Sequence, residues 1–91
     1  MKKRAHVHVS GRVQGVCYRD FTQKWASSLE LEGWVKNLSD GRVEAVIEGE
    51  PAKIEEMLLK MKQGPSWANV ENLELRWEDS TGEFNGFRIT W

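Results

Sequence analysis

Alternation is the clearest pattern along the chain. Ala5, Val7 and Val9 are apolar and His6, His8 and Ser10 polar, the period of a strand with one buried face. Phe21, Trp25 and Leu29 then fall at helical spacing and predict a helix from about Tyr18 to Glu30. Val35 and Asn37 share one face of a second strand, with Trp34, Lys36 and Leu38 on the other. Asp40-Gly41 marks a turn between two apolar runs, so a hairpin follows, and Val43, Ala45 and Ile47 alternate along its return strand. Pro51 suits a helix start, where its missing N–H costs nothing. Ile54, Met57, Leu58 and Met61 form one apolar stripe, and Gly64-Pro65 stops that helix. Leu73, Leu75 and Trp77 alternate in the next strand, and Phe87, Ile89 and Trp91 in the last.

The order is β-α-β-β-α-β with a short added strand at the C-terminal end. Two split β-α-β halves of this kind make a ferredoxin-like α+β sandwich, an antiparallel sheet with both helices on one face. No linker, low-complexity segment or repeated motif divides the chain, so residues 1–91 are expected to form one domain.

Composition narrows the functional classes. A 40% hydrophobic fraction and five tryptophans over 91 residues argue for one packed core. Thirteen basic residues against fourteen acidic ones leave a formal net charge of −1, with no general pull toward nucleic acid or an anionic membrane. RNA recognition on such a sheet uses aromatics in the central strands, and Ala5–Val9 and Val43–Ile47 carry none. Cys17 is the only cysteine, so no intrachain disulfide can form. Met1-Lys2-Lys3-Arg4 has the charge of a leader, but an alternating segment follows instead of an apolar one. The expectation is a cytoplasmic monomer with no nucleic-acid or membrane partner.

The candidate chemistry starts at Gly11-Arg12-Val13-Gln14-Gly15-Val16-Cys17-Tyr18-Arg19, where the strand pattern gives way to the helical one. Glycines let a backbone curl so that several N–H groups point inward, and a helix start just beyond adds its positive end. Arg19 adds a planar guanidinium able to grip two oxygens of one phosphoryl group. A second string follows, Gly33-Trp34-Val35-Lys36-Asn37-Leu38-Ser39-Asp40-Gly41-Arg42-Val43, closing at Gly49. Taken alone, Arg19 reads as a surface arginine at a helix start and Asn37 as a residue before a turn.

Together the two strings resemble the phosphate-binding and asparagine-carrying signatures of the acylphosphatase family. The resemblance extends to Gly64-Pro65 and Gly86-Phe87-Arg88-Ile89, so it spans nearly the whole chain. It implies a core strand order 4-1-3-2 with the added strand at an edge. It implies hydrolysis of acyl phosphates such as acetyl or carbamoyl phosphate, without cofactor or metal, with inorganic phosphate as product and competitor. Carried over residue by residue, the backbone of Gly11, Arg12, Val13, Gln14, Gly15 and Val16 would cradle the phosphoryl oxygens. Arg19 would bind them through its side chain, and Asn37 would orient the attacking water. A non-catalytic phospho-ligand module, or a domain serving a larger carbamoyl-phosphate-handling protein, is the competing reading; turnover separates them.

The remaining reactive side chains read as structural. His6 and His8 share a strand face but have no cysteine or carboxylate at ligand spacing in the sequence, so no metal site is expected. Cys17 has no histidine near it in sequence and reads as a packing residue, as do Tyr18 and Trp34. Glu44, Glu48 and Glu50 read as a solvated acidic surface, and Trp67 has no assignable role.

Overall fold

The computed structural model describes residues 1–91. Its elements are β1 (Lys3–Arg12), α1 (Tyr18–Ser28), β2 (Glu32–Asn37), β3 (Val43–Gly49), α2 (Pro51–Gln63), β4 (Asn69–Asp79) and β5 (Phe87–Ile89). The strands form one sheet in the order β4-β1-β3-β2-β5. The four core strands pair antiparallel in the expected 4-1-3-2 order, and the short β5 adds in parallel to the outer side of β2. No helix is long and apolar enough to cross a membrane.

The alternation in β1 and β3 has the meaning the sequence suggested. Ala5, Val7, Val9, Val43, Ala45 and Ile47 are buried against the helices, joined by Val35 from β2. From α2, Ile54, Met57, Leu58 and Met61 close the same core, as their stripe required. Pro51 stands at the first turn of α2, and Gly64 ends the helix with its N–H on the Lys60 carbonyl.

Helix α1 differs from its expected stripe. Its most deeply buried residues are Tyr18, Thr22 and Ala26, while Phe21, Trp25 and Leu29 flank that line in half-buried positions. Thr22 and Ala26 present little bulk toward the sheet, so the helix can approach it closely and the large side chains splay to either side. The helix also ends earlier than Glu30. Leu31 N–H donates to Ala26 O at 2.8 Å and Glu30 N–H to Ser27 O at 3.1 Å, with Glu30 at φ 60°. That closure satisfies the last carbonyls by the two crossed bonds of a left-handed helix stop.

The sheet face away from the helices carries the polar half of each strand. Directly opposite one another across β1 and β3 lie Arg4 and Glu48, then His6 and Val46, then His8 and Glu44. One expectation fails on this face. Glu48 is not solvated: it is 2% exposed, covered by the segment Ser80–Gly82. Its carboxylate accepts from Arg4 Nε at 2.7 Å, Ser80 Oγ at 2.9 Å, Thr81 N–H at 3.0 Å, Gly82 N–H at 3.1 Å and Thr81 Oγ1 at 3.2 Å. Burial alone would raise its pKa, but these donors outweigh that and hold it at about 2.

Candidate active site

Where β1 runs out, Gly11 and Arg12 still pair with Val70 and Asn69 of β4, after a register shift between Ser10 and Gly11. A Cβ on Gly11 would stand 2.2 Å from the Asn69 carbonyl oxygen, so only glycine allows that approach. The loop beyond turns through Gly15 at φ 72° and Cys17 at φ 63° before α1 begins at Tyr18. A left-handed conformation at a non-glycine residue is uncommon, and here it falls at the helix cap.

The amides of this loop are not used by the backbone hydrogen-bond network. None of Gln14, Gly15, Val16 or Cys17 donates its N–H to a backbone carbonyl in any turn or loop bond. The first amides of α1, Tyr18 to Asp20, precede the first helical acceptor, and the earliest bond of this turn runs from Phe21 N–H to Cys17 O at 3.0 Å. A continuous run of free N–H donors ending in a helix of eleven residues is an anion-binding arrangement.

The loop is fixed from the other side. Gln14 Nε2 donates to Leu38 O at 2.7 Å and Arg42 O at 2.9 Å, tying it to the β2–β3 hairpin just past Asn37. Val13 and Val16 are buried in the core. Tyr18 is buried too, with its hydroxyl donating to Met61 O at 2.7 Å, and burial raises its phenol well above the usual range.

A cavity of about 340 Å³ opens between these pieces, lined by Val13, Gly15, Cys17, Tyr18, Arg19, Asp20, Asn37, Ile89 and Trp91. Of the residues singled out in the sequence, Val13, Gly15, Arg19 and Asn37 meet here. Gly11 and Arg12 lie in β1 outside the lining, Gln14 turns to the hairpin, and Val16 packs inward. Asn37 stands at the end of β2, and its Oδ1 is buried without any hydrogen-bond partner in the protein. A buried amide oxygen left bare, on a residue that lines the same cavity as the loop with unused N–H groups, calls for a hydrogen-bond donor such as a water.

Arg19 is held by the C-terminal segment. Its guanidinium lies over the Trp91 indole, 4.1 Å from the ring centroid, and Nη1 reaches Thr90 O at 3.4 Å. Thr90 N–H in turn donates to Val35 O at 2.8 Å, continuing the β5–β2 pairing to the cavity edge. The sequence reading did not place Ile89 or Trp91 in the site. The alternation Phe87, Ile89, Trp91 marked a strand, but its parallel partner could not be read from it.

The sequence matches the acylphosphatase family over residues 5–89. An acylphosphatase of Roseiflexus sp. (strain RS-1) is 51% identical over 88 residues, covering 97% of this chain and 95% of that protein. Among solved structures, an acylphosphatase from Bacillus subtilis superposes with a TM-score of 0.95 at 34% identity, covering 100% of each chain. One from Coxiella burnetii gives a TM-score of 0.91 at 40% identity, covering 98% of this chain and 93% of that one.

Proposed function

This chain belongs to the acylphosphatase family and hydrolyses acyl phosphates to a carboxylate and inorganic phosphate; we propose that Arg19 and the loop from Gly11 to Val16 hold the phosphoryl group while Asn37 positions the attacking water. The observation that carries this reading is that Asn37, whose Oδ1 has no partner in the protein, lines the same cavity as Arg19 and residues Gly15, Cys17, Tyr18 and Asp20, whose amides make no backbone bond.

The leaving group is a carboxylate whose conjugate acid has a pKa of about 4, so it departs without being protonated. No general acid is needed. What the protein supplies is position and charge stabilisation. The backbone amides and the Arg19 fork bind the phosphoryl oxygens and take up charge as it spreads. Gly11 and Arg12 contribute by fixing where the loop leaves the sheet. Asn37 accepts a hydrogen bond from a water through Oδ1, aiming its lone pair at phosphorus. The water oxygen–phosphorus bond forms as the bond from phosphorus to the acyl oxygen breaks, and the carboxylate leaves with the electron pair. The proton passes to a phosphoryl oxygen, because a neutral amide is too weak a base to keep it. The same proposal takes the enzyme as cytoplasmic, monomeric and independent of metal, with turnover persisting in chelator.

Kinetics and phosphate titration of folded variants test these roles. Arg19→Ala should weaken competitive inhibition by phosphate as well as turnover, and Arg19→Lys should be poor too, because a point charge cannot replace a two-pronged grip. Asn37→Ala should lose on the order of 10²–10³-fold in kcat while retaining phosphate affinity. Normal turnover by Asn37→Ala, or parental phosphate binding by Arg19→Ala, would overturn the assignment.

A further inference from the structure

On the sheet face opposite the helices, the fold supplies what the sequence around His6 and His8 lacked. Glu44, directly across from His8 on β3, turns one carboxylate oxygen toward both rings. Its Oε2 lies 2.6 Å from His6 Nε2 and 3.5 Å from His8 Nε2. The three potential ligand atoms all fall within 4.8 Å of one another. The other oxygen, Oε1, faces Lys36 Nζ at 3.9 Å, so Oε2 is the one left to the histidines.

We propose that His6 Nε2, His8 Nε2 and Glu44 Oε2 form a binding site for a divalent metal of borderline softness, of which Zn²⁺ is the representative. Zinc bonds of about 2.0–2.2 Å in tetrahedral geometry place ligand atoms about 3.4 Å apart. The His8–Glu44 separation already meets that spacing. The His6–Glu44 pair has to open by less than an ångström as the metal replaces the proton between them. All three side chains are partly exposed, so a metal ion could reach them from solvent.

Two further features favour a metal over an ordinary ion-pair cluster. The ligands stand on β1 and β3, neighbouring interior strands of the sheet, so their spacing is set by a hydrogen-bonded ladder and not by mobile loops. Beyond them, Glu78 Oε2 lies 3.4 Å from His6 Nδ1, where it can accept the second ring N–H and orient the imidazole toward a metal. The Arg76 guanidinium, 3.3 Å from Nδ1 and bonded to Glu78 at 3.0 Å, is mostly exposed and has to move off Nδ1 for Glu78 to accept the ring N–H. Glu44 and Glu78 place two carboxylates beside the site, shared with Lys36 Nζ at 3.9 Å from Glu44 and with Arg76 Nε at 3.0 Å and Arg4 Nη1 at 3.8 Å from Glu78. None of these residues lines the catalytic cavity, so the two sites are separate.

The test is a zinc titration of the 91-residue chain, followed by calorimetry and by competition with a chromogenic chelator. The expected result is one Zn²⁺ per chain with micromolar affinity. His6→Gln, His8→Gln and Glu44→Gln, each checked for fold by circular dichroism, should each weaken binding more than about tenfold. Glu78→Gln should weaken it by about 10-fold through the lost orientation of His6. Binding should survive in Cys17→Ser, which removes the exposed thiol. Zinc binding only in the millimolar range, or binding lost with Cys17 and kept in His8→Gln, would overturn the proposal.

Discussion

Replacing Glu48 by glutamine should expose how the segment Ser80–Gly82 is held to the sheet. With every oxygen lone pair occupied, the carboxylate keeps a pKa of about 2 against an ordinary 4.5. At about 1.4 kcal/mol for each pH unit, that gap corresponds to about 3 kcal/mol of folding free energy, a large part of a small domain's 5–15 kcal/mol. Because the folded-state pKa lies below the unfolded one, this contribution is complete above about pH 4.5 and is lost as pH falls through about 2. Glutamine cannot substitute. Whichever oxygen becomes NH₂ meets a backbone N–H, of Thr81 on one side or Gly82 on the other, and Arg4 loses the charge of a partner more deeply buried than itself. Glu48→Gln should therefore cost about 3 kcal/mol at pH 7, with the gap to the parent shrinking to about half or less by pH 3. Urea unfolding followed by tryptophan fluorescence at pH 7, 5 and 3 measures it. A penalty under about 1 kcal/mol at pH 7, or one that stays constant down to pH 3, would refute the reasoning.

Other substitutions probe smaller features. Trp91→Ala removes the indole under Arg19 and should raise the inhibition constant for phosphate about 2–5-fold, the scale of an exposed cation–π contact, with Trp91→Phe in between; an unchanged constant would dismiss the stack. Thr22→Val replaces a fully buried hydroxyl that has no hydrogen-bond partner, and should stabilise by about 1 kcal/mol, or about 4–8 °C in Tm; a lower Tm would show the hydroxyl to be satisfied. Cys17→Gly fits the left-handed backbone at the helix cap and should keep turnover, whereas Cys17→Val, β-branched and strained there, should lower it. Loss of activity in the glycine variant would instead assign chemistry to the thiol.

Which parts of this were legible in the sequence depends on how far apart the contacting residues lie. The alternation of Ala5, Val7 and Val9 and the stripe Ile54, Met57, Leu58, Met61 report burial within a single element, and the fold follows them. In α1 the large apolar side chains drew attention to Phe21, Trp25 and Leu29, though close approach to the sheet selected the smaller Thr22 and Ala26. Glu48 looked like any acidic residue on an open sheet face, because its donors at Ser80–Gly82 are more than thirty residues away. The carboxylate between His6 and His8 was equally invisible, since it depends on the β1–β3 register. In the candidate site, Arg19 and Asn37 were found through two local strings. Trp91 was missed because only the parallel β5–β2 pairing brings the C-terminus beside α1.

The cavity brings together three groups with unusual conformation or bonding, and each is held by a neighbour with ordinary bonding. Cys17 adopts a conformation that costs energy at a helix cap, yet the turn around it is pinned because Gln14 is bonded to two hairpin carbonyls. Asn37 leaves an oxygen bare, but it sits at the end of a strand paired on both sides, with β3 and with the segment running on from β5. Arg19 makes only a long contact to Thr90 and a stack on Trp91, so its donors keep their capacity for another partner. In a stable fold such groups persist only where the surroundings over-determine them; a bound anion would take up the Arg19 and loop N–H donors, and a water donating to Asn37 Oδ1 would satisfy the bare oxygen. The hairpin therefore serves both halves of the chemistry. It carries the residue assigned to the water and, through Gln14, fixes the loop assigned to the phosphoryl group, so a shift in one would displace the other.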